Sequence, residues 1–470
     1  MKTLFLFDSV KKQKLPFIPI HKNRVKLYVC GPTVYDDSHL GHARSAIAFD
    51  LLHRTLLAFE YEVEYARNFT DIDDKIIKKS LQTQQSLEEI TTHYIASYLN
   101  DMQALNILPP TIEPKATENL PSMISMIETL LEKGYAYQTN NGDVYLDSTK
   151  DPSYGSISHR GNDLEIQTRL ENGSEKRNER DFVLWKAYKG DKDIGYESSL
   201  GKGRPGWHIE CSAMIEEHLA HKNEEYAIDI HGGGADLLFP HHENEASQTR
   251  CASGRELAKY WLHNGFVTIN GEKMSKSLGN SFFLKDILKI YHGEIVRNYL
   301  LSTHYRANFD FGEVDLRLSK KRLDKLYRLK KRLKFRANSS SSKLRDLLLE
   351  ALGEDLNISL ALSHIENFFK ESNEALDKTP KDQTLQENIS SALLAIEEIL
   401  GLGKIEVNEY FQLGVNEEEK AWIKSLIEQR QEAKANKDYA KADNIRSKLE
   451  EKGITLLDTP EGVVWEKTKE

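Results

Sequence analysis

Between residues 25 and 73, three consecutive segments carry the patterns of a strand, a helix and a second strand. VKLYVC (25–30) has the composition of a buried strand, and GHARSAIAFDLLHRTLLAF (41–59) has the apolar spacing of a helix. EVEYARNFTDID (62–73) contains the next strand and the loop that follows it. Such a unit joins two parallel neighbours of one sheet. The sequence therefore predicts the α/β class, built on a parallel sheet.

The bulk composition excludes several classes of protein. Of the 470 residues, 39% are hydrophobic and 29% are charged, which is typical of globular chains and not of disordered or membrane-embedded ones. The apolar run at 4–7 is too short for the core of a signal peptide, and no stretch of about 18 apolar residues occurs. We therefore predict a cytoplasmic protein, whose three cysteines form no disulfide framework.

The rest of the chain divides into segments of different character. Residues 115–200 begin as a helix and continue into short strands and polar turns, which predicts an inserted module. Strand-like sequence resumes with GWHIECSAM (206–214) and YAIDIHGGGADLLF (226–239), and the chain after about residue 310 is almost entirely helical. NSSSS (338–342) predicts a flexible joint, and the last 50 residues predict two helices and a hairpin.

One helical segment is strongly basic, although the formal net charge of the chain is −9. Residues 317–336 contain eleven Lys and Arg residues and one Asp, and Leu316, Leu323, Leu326 and Leu333 recur at helical spacing. This pattern predicts an amphipathic helix with a basic outer face. A solvated surface and a contact with nucleic-acid phosphates both remain open.

The motif HHENE supplies two candidate metal ligands. His241 and Glu245 stand four residues apart and would share one face of a helix. Cys30 ends the first predicted strand, and Cys211 is predicted to follow a second strand and to precede a helix, at the edge where ligands gather in open parallel sheets. Two thiolates, one imidazole and one carboxylate suit four-coordinate zinc. Spacing alone leaves ordinary buried residues as an alternative, and Cys251 is predicted to be a core residue.

Two further motifs suit a polyphosphate. HLGH (39–42) lies between the first strand and its helix, where backbone N–H groups and the helix dipole favour an anion. Gly41 would let a flat base approach the backbone, and His39 and His42 would donate hydrogen bonds to phosphate oxygens. KMSKS (273–277) adds cations and hydroxyls after a turn. Each motif alone could be an ordinary loop, but their presence in one chain indicates nucleotide chemistry.

These motifs carry a resemblance to a known family. HLGH with KMSKS around a strand–helix–strand core resembles the class I aminoacyl-tRNA synthetases. YVCGPTVYDDSHLGHAR, GRPGWHIECSAM and HGGGADLLFPHHENEASQ are together similar to the cysteinyl-tRNA synthetases within that class. The likeness extends over nearly the whole chain. The run DDS at 36–38 and the pair at 246–247 depart from the usual pattern, but neither includes a proposed ligand.

The resemblance implies a role for each candidate residue. It implies one zinc ion bound by Cys30, Cys211, His241 and Glu245. It implies an amino-acid pocket lined by Trp207 and His231, with Thr70 and Asp236 nearby. It implies ATP, accompanied by Mg²⁺, bound through His39, Gly41, His42, Ser275, Lys276 and Ser277. It also implies catalytic roles for His39, His42, Lys273 and Lys276. The implied partners are ATP, L-cysteine and tRNA(Cys), and the implied state is a monomer.

The resemblance also implies a division of the chain. We expect a split Rossmann-type catalytic domain at 1–114 and 201–270 with an inserted connective module at 115–200. A linker that bears KMSKS would occupy 271–310, an all-α tRNA-binding region 311–405, and a small anticodon-binding module 406–470. We find no nucleophile–base set in the insert, so we expect no separate hydrolytic site there.

Three other functions are compatible with parts of the sequence. A zinc-dependent hydrolase would leave KMSKS without a role, and a non-catalytic RNA-binding protein would not need HLGH. A class I-like ligase that delivers activated cysteine to a small amine would keep both motifs. Such a ligase would not need the roughly 160 mostly helical residues after 310, so the length of this tail favours tRNA.

Overall fold

The computed structural model of the chain describes residues 3–159, 175–269, 271–273, 282–459 and 462–467. Its strands are β1 Phe5–Asp8, β2 Gln13–Pro16, β3 Arg24–Val29, β4 Glu62–Arg67, β5 Ala136–Gln138, β6 Val144–Leu146, β7 Phe182–Ala187, β8 Gly203–Pro205, β9 Tyr226–Gly234, β10 Glu256–Asn264, β11 Val267–Ile269, β12 Glu272–Lys273, β13 Phe309–Asp310, β14 Ile454–Thr459 and β15 Gly462–Lys467.

The α-helices lie between these strands and dominate the C-terminal half. They are α1 Leu40–Ala58, α2 Asp74–Thr83, α3 Leu87–Ala104, α4 Leu120–Glu132, α5 Trp207–His218, α6 Glu243–Ser253, α7 Leu284–Ile290, α8 Gly293–Leu301, α9 Glu313–Lys331, α10 Lys343–Leu352, α11 Ile358–Lys378, α12 Gln383–Leu400, α13 Val407–Phe411, α14 Glu417–Ala435 and α15 Tyr439–Glu451. No helix of the described residues is long and apolar enough to cross a membrane.

A parallel sheet lies at the centre of the amino-terminal half. Its strand order is β10-β9-β3-β4, and each neighbouring pair is parallel. The helix α1 connects β3 to β4, which confirms the predicted strand–helix–strand unit. The predicted α/β class with a parallel sheet and a helical C-terminal region is therefore confirmed.

The parallel sheet and α1 approach each other closely at Gly232. A Cβ atom at this position would lie 2.2 Å from a ring carbon of Phe49 on α1, so only glycine fits there. Directly beyond Val29, the Cys30 N–H donates to the Gly232 carbonyl at a distance of 3.2 Å. This contact brings the carboxyl ends of β3 and β9 together, and the candidate site forms beside them.

Three strands of the region predicted as an insert (115–200) form a second sheet together with β8, which lies just beyond that region. Strands β5, β6, β7 and β8 are antiparallel in that order, and α4 packs beside them and against α5 and α6. Their apolar side chains form a separate core that includes Ile127, Leu184 and Trp185. Residues 160–174, which belong to the predicted polar stretch, lie outside the described residues.

The basic segment forms α9, which ends at Lys331 and not at residue 336. Leu316, Leu323 and Leu326 are buried as predicted, whereas Leu333 follows the helix and is only half-buried. Helix α9 packs against α8, α11 and α12. In the segment predicted as a joint, Ser342 accepts a hydrogen bond from the Arg345 N–H and caps α10. The flexibility of that segment stays a prediction.

The chain ends in a small unit with its own core. The helices α14 and α15 pack on the antiparallel hairpin of β14 and β15 around residues such as Ile423, Leu449 and Trp465. This confirms the predicted pair of helices and the hairpin. The helix α13 packs both on β15 and on α9, where the ring of Tyr410 stacks on Tyr327 at a centroid distance of 3.8 Å.

One local prediction is wrong. The segment GWHIECSAM was expected to be a strand that ends at Cys211, but it begins α5, and Cys211 lies within that helix. Residues Ile209 through Ile215 are all buried. Because residues 209–215 of this helix are buried on every side, the apolar residues of that stretch do not alternate with polar ones at helical spacing, and the pattern imitates a buried strand.

Candidate active site and metal centre

The two histidines of HLGH cap the start of α1. The Nδ1 atom of His39 accepts a hydrogen bond from the Gly41 N–H at 3.1 Å, and Nδ1 of His42 accepts from the His39 N–H at 3.3 Å. Their rings stack with centroids 3.8 Å apart. Because both Nδ1 atoms are acceptors, each neutral ring carries its proton on Nε2. The capping therefore fixes the tautomer of both predicted phosphate donors.

The chain from Phe282 onward, which follows KMSKS in the sequence, runs beside the start of HLGH. Lys273 is the last residue of β12, which pairs with β11, while Ser275, Lys276 and Ser277 lie outside the described residues. Where the chain is described again, the Leu40 N–H donates to the Phe282 carbonyl at 3.3 Å, and the Leu284 N–H donates to the Ser38 carbonyl at 2.7 Å. These contacts hold the chain on both sides of His39 against the segment at 282–284.

A side-chain ion pair reinforces this contact. The Lys285 ammonium lies 2.5 Å from the Asp37 carboxylate, which also accepts a hydrogen bond from the Ser97 hydroxyl at 2.8 Å. Burial would raise the pKa of Asp37, but the hydrogen bonds from Lys285 and Ser97 outweigh it and lower that pKa. The DDS run, which departed from the family pattern, thus includes the carboxylate that anchors the segment after KMSKS.

The four predicted metal ligands lie together, largely enclosed in the protein. The distance between the Cys30 and Cys211 Sγ atoms is 3.8 Å, and Cys30 Sγ lies 3.6 Å from Glu245 Oε1. The distance from Cys211 Sγ to His241 Nε2 is 3.6 Å, and His241 Nε2 lies 2.9 Å from Glu245 Oε1. All four donor atoms lie within 4.8 Å of one another.

These distances fit a tetrahedral zinc ion. With bonds of about 2.3 Å to sulfur and 2.0–2.2 Å to nitrogen or oxygen, the edges of the tetrahedron would be about 3.8 Å between sulfurs and roughly 3.6 Å from sulfur to nitrogen or oxygen. The three observed distances that involve sulfur agree with these edges. The distance of 2.9 Å between His241 Nε2 and Glu245 Oε1 is that of a hydrogen bond and is shorter than the corresponding edge of the tetrahedron.

Hydrogen bonds from neighbouring histidines orient two of these ligands. His208 Nδ1 lies 2.8 Å from His241 Nδ1, which leaves His241 Nε2 directed at Cys211. His231 Nε2 lies 2.7 Å from Glu245 Oε2, which leaves Glu245 Oε1 directed at Cys30. Such partners fix the ring orientation and the tautomer of ligands in metalloproteins.

A second donor set shares two of these residues. Cys30, His231, His242 and Glu245 also lie within 4.8 Å of one another, and His242 Nε2 is 3.5 Å from Cys30 Sγ. In this set only one thiolate would remain, and coordination through His231 Nε2 would remove the hydrogen bond of that atom to Glu245. Zinc favours the first set because that set offers two sulfur ligands and keeps the bond between His231 and Glu245.

Proximity shifts the protonation of the cluster. Burial would lower the pKa of His241, but the Glu245 carboxylate and Cys211 raise it to about 10. Burial would raise the pKa of Cys211, but hydrogen bonding to Cys30 and the charge of His241 lower it to about 6. Burial and the neighbouring Cys211 raise the pKa of Cys30 well above its usual value. Burial would raise the pKa of Glu245, but the charges of His241 and His231 hold it well below its usual value.

Comparison with known proteins identifies the family. The family model described as tRNA synthetases class I (C) catalytic domain matches residues 16–321. A cysteine–tRNA ligase from Wolinella succinogenes is 62% identical over 464 residues, which cover 98% of this chain and 99% of that protein. One from Helicobacter hepaticus is 59% identical over 484 residues, with coverage of 98% and 99%. The chain belongs to the cysteine–tRNA ligase family.

Solved structures of other class I synthetases share the fold of this family member. Methionyl-tRNA synthetase from Mycobacterium tuberculosis, solved in complex with methionyl-adenylate, aligns with a TM-score of 0.57 at 14% sequence identity. The alignment covers 83% of this chain and 91% of that one. At this identity, the likeness concerns the fold alone.

In this cysteine–tRNA ligase family member, most of the predicted amino-acid pocket lies beside the cluster. Trp207 stacks on His241 with ring centroids 4.1 Å apart and is 39% exposed, while His231 is fully buried. The Thr70 hydroxyl donates to Glu210 Oε2, one residue before Cys211, at 2.7 Å. Asp236 is exposed and lies in the turn after β9. The pocket role of each residue stays a prediction.

Sequence reasoning missed several residues of this site. Trp261 stacks on the other side of the cluster, 4.8 Å from the His231 ring, and His263 lies 2.8 Å from His242 Nδ1. Both belong to β10, where nothing in the sequence marks them. A signal did exist for His208, because it follows Trp207 within the motif that contains Cys211.

Proposed function

We propose that this chain uses ATP to attach L-cysteine to tRNA(Cys), and that it does so as a cytoplasmic monomer. The observation that carries the proposal is a buried set of two thiols, one imidazole and one carboxylate beside a helix start that presents two histidines. Relatives that match almost the full length and bear the name cysteine–tRNA ligase support it.

Four side chains are proposed to hold one zinc ion. They are Cys30, Cys211, His241 and Glu245, whose donor distances suit a tetrahedral site. Zinc bound there would offer the thiolate of the substrate a ligand position that the hydroxyl of serine fills poorly. Trp207 and His231 would form the walls around the amino acid, and Thr70 and Asp236 would complete the pocket.

The first chemical step needs no nucleophile from the protein. An oxygen of the cysteine carboxylate attacks the α-phosphorus of ATP, and the bond to the leaving pyrophosphate breaks. The chain contributes positioning and charge stabilisation. The Nε2–H groups of His39 and His42 would donate to phosphate oxygens, and Gly41 would admit the nucleotide to the start of α1.

The cations of KMSKS would act on the same phosphates. Lys273 and Lys276 would balance the charge that develops on pyrophosphate, and Ser275 and Ser277 would donate hydrogen bonds. The position of the chain after KMSKS beside HLGH supports this assignment. Mg²⁺ would accompany the ATP without a dedicated set of protein ligands.

In the second step the terminal ribose hydroxyl of tRNA attacks the activated acyl carbon, and AMP leaves. We propose that the helical region at 311–405 and the C-terminal module at 406–470 bind the tRNA. The catalytic domain (1–114 and 201–270), the connective insert (115–200) and the linker (271–310) would form and support the reaction site. Selection against serine would occur at binding and activation, without an editing site.

Cysteine-dependent exchange of labelled pyrophosphate into ATP, followed by charging of unfractionated tRNA, tests the proposal. We expect exchange with cysteine and not with serine, and charging of tRNA(Cys) alone. Exchange that did not depend on cysteine would overturn the assignment. Exchange followed by transfer to a small amine and not to tRNA would favour the alternative ligase.

A further inference from the structure

A small cavity opens at the C-terminal end of α9. Its volume is about 230 Å³, and it lies between that end of α9, the helix α12 and the chain that leads into α13. Its apolar lining includes Leu326, Leu333 and Leu393, and its rim is formed partly by residues 334–337. The cavity is smaller than sites for drug-sized ligands, which begin at about 300 Å³, and is suited to a single flat ring system.

The rim segment is held in place by its backbone. The Lys334 N–H donates to Gln386 Oε1 at 3.1 Å, and the Ala337 N–H donates to the Ser390 hydroxyl at 2.8 Å. Between these two anchors, Phe335 is 44% exposed. An exposed aromatic ring on an anchored segment offers a preformed surface on which a nucleic-acid base can stack.

Positive charge is concentrated around this aromatic ring. The cavity is lined by four cations (Lys330, Lys334, Arg336 and Lys404) and two carboxylates (Glu397 and Glu406). The ammonium of Lys330 donates to the Gly403 carbonyl in the cavity wall. Within the described ranges, no carboxylate lies at ion-pair distance from Lys334, Arg336 or Lys404.

Elsewhere, much of the basic segment is neutralised within the protein. Arg322 and Lys325 both contact Glu366, and Arg332 contacts Asp377 at 2.6 Å. Lys331 pairs with Glu466 of the terminal hairpin. The cations left to attract an external anion therefore include those beside Phe335, which argues that this end of α9 contacts a phosphate chain.

We propose that this cavity holds one unstacked base of the RNA substrate. The base stacks on Phe335, and the phosphates on either side of it contact Lys334, Arg336 and Lys404. The carboxylate of Glu397 accepts a hydrogen bond, so the base presents an amino or imino hydrogen at its edge. This inference rests on the proposed function, in which tRNA is the substrate. It adds one pocket of the protein that recognises a base of that tRNA.

The test compares variants of the full chain in tRNA charging and in pyrophosphate exchange. Phe335→Leu keeps the apolar volume and removes the ring, so kcat/KM for tRNA should fall about tenfold, the usual effect of losing one base-stacking contact. Phe335→Tyr keeps an aromatic ring, so its kcat/KM for tRNA should match that of the original chain. The matched control Leu360→Ala, an exposed apolar residue on α11, should change nothing. Cysteine-dependent exchange should be normal in all three.

Two further measurements separate recognition from a structural role. Arg336→Gln should reduce the slope of the logarithm of the tRNA-binding constant against the logarithm of the salt concentration by about one, because one fewer counterion is released on binding. A set of tRNA transcripts is prepared in which each lacks the base at a single position. For one of these transcripts, kcat/KM of the original chain should fall about tenfold relative to intact tRNA, whereas kcat/KM of Phe335→Leu should not change.

Unchanged charging by Phe335→Leu, or equal losses at every abasic position in both proteins, would overturn the pocket. Loss of exchange in the unmodified protein would instead contradict the proposed function.

Discussion

Cys30 and Glu245 belong to two overlapping sets of metal donors, so the other members decide which set is used. Cys211 and His241 complete one set, and His231 and His242 complete the other. The first set offers two sulfur ligands and preserves the hydrogen bond of 2.7 Å between His231 Nε2 and Glu245. The choice therefore depends on single residues and can be tested residue by residue.

Replacement of Cys211 by serine should remove most of the zinc, because a neutral hydroxyl is a poor zinc ligand. We expect occupancy to fall from about one ion per chain to well below half, measured by elemental analysis after dialysis. Cys251→Ser is the matched control, since Cys251 is also a buried thiol but lies outside both donor sets.

The same measurement on His242→Gln distinguishes the two donor sets. This variant should keep its zinc, because His242 belongs only to the second set. Full occupancy in Cys211→Ser together with loss in His242→Gln would reverse our choice of ligands.

At the scale of elements, the sequence predicts the type of a helix or strand when one of its faces is exposed to solvent. It does not do so when the element is buried on all sides. The strand–helix–strand unit, α9 and the terminal hairpin follow from apolar spacing and turn residues. The buried helix α5 was predicted as a strand because it has no polar face. The ligand set came from motifs, whereas Trp261 and His263 reach the site through tertiary packing that no local pattern encodes.

The contact between the segments around HLGH and KMSKS should matter for catalysis. Lys285→Met removes the ammonium from Asp37, and we expect pyrophosphate exchange to slow by about three- to tenfold as phosphate-binding groups lose their alignment. Lys289→Met is the control, because Lys289 forms an exposed ion pair within the same helix, with Asp286 at 2.7 Å. Equal rates in the two variants would show that the Asp37 contact does not position the site.

At the scale of the molecule, a buried charge network joins α1 to the helical region. Arg297 of α8 is fully buried, pairs with Asp50 of α1 and donates to the Leu400 carbonyl at the end of α12 at 2.7 Å. Arg54 also contacts Asp50, at 2.8 Å. Burial would raise the pKa of Asp50, but the charges of Arg297 and Arg54 outweigh it and lower that pKa.

Removal of Arg297 should destabilise the whole protein. Arg297→Met leaves Asp50 with an incomplete set of partners, and the free energy of unfolding should fall by about 3 kcal/mol. In the unmodified chain the contribution of Asp50 is present above the unfolded carboxyl pKa of about 3.9 and is lost as the pH falls below it. Urea unfolding at neutral pH measures the loss, and Arg446→Met, in an exposed pair with Glu450, should cost less than about 0.5 kcal/mol.

The C-terminal unit should be separable from amino-acid activation. A chain that ends at Gly414 keeps α13, whose Tyr410 packs on Tyr327, and loses the core that begins at Val415. We expect normal pyrophosphate exchange and a fall in tRNA charging of about tenfold or more as phosphate contacts are lost. Exchange and charging should be measured on the same preparation, since unimpaired charging would exclude the unit from tRNA binding.

The separation of 3.8 Å between the Cys30 and Cys211 sulfurs also makes the centre sensitive to oxidation. A disulfide requires a distance of about 2.05 Å, so a small movement would allow the two thiols to join when an oxidant such as a peroxide accepts their two electrons and two protons and is reduced to water or an alcohol. Zinc would prevent this because it occupies the electron pairs of both sulfurs. If the ion were lost under oxidising conditions, the bridged pair could not bind it again. Charging of tRNA with cysteine would then stop until a reductant restored the thiols.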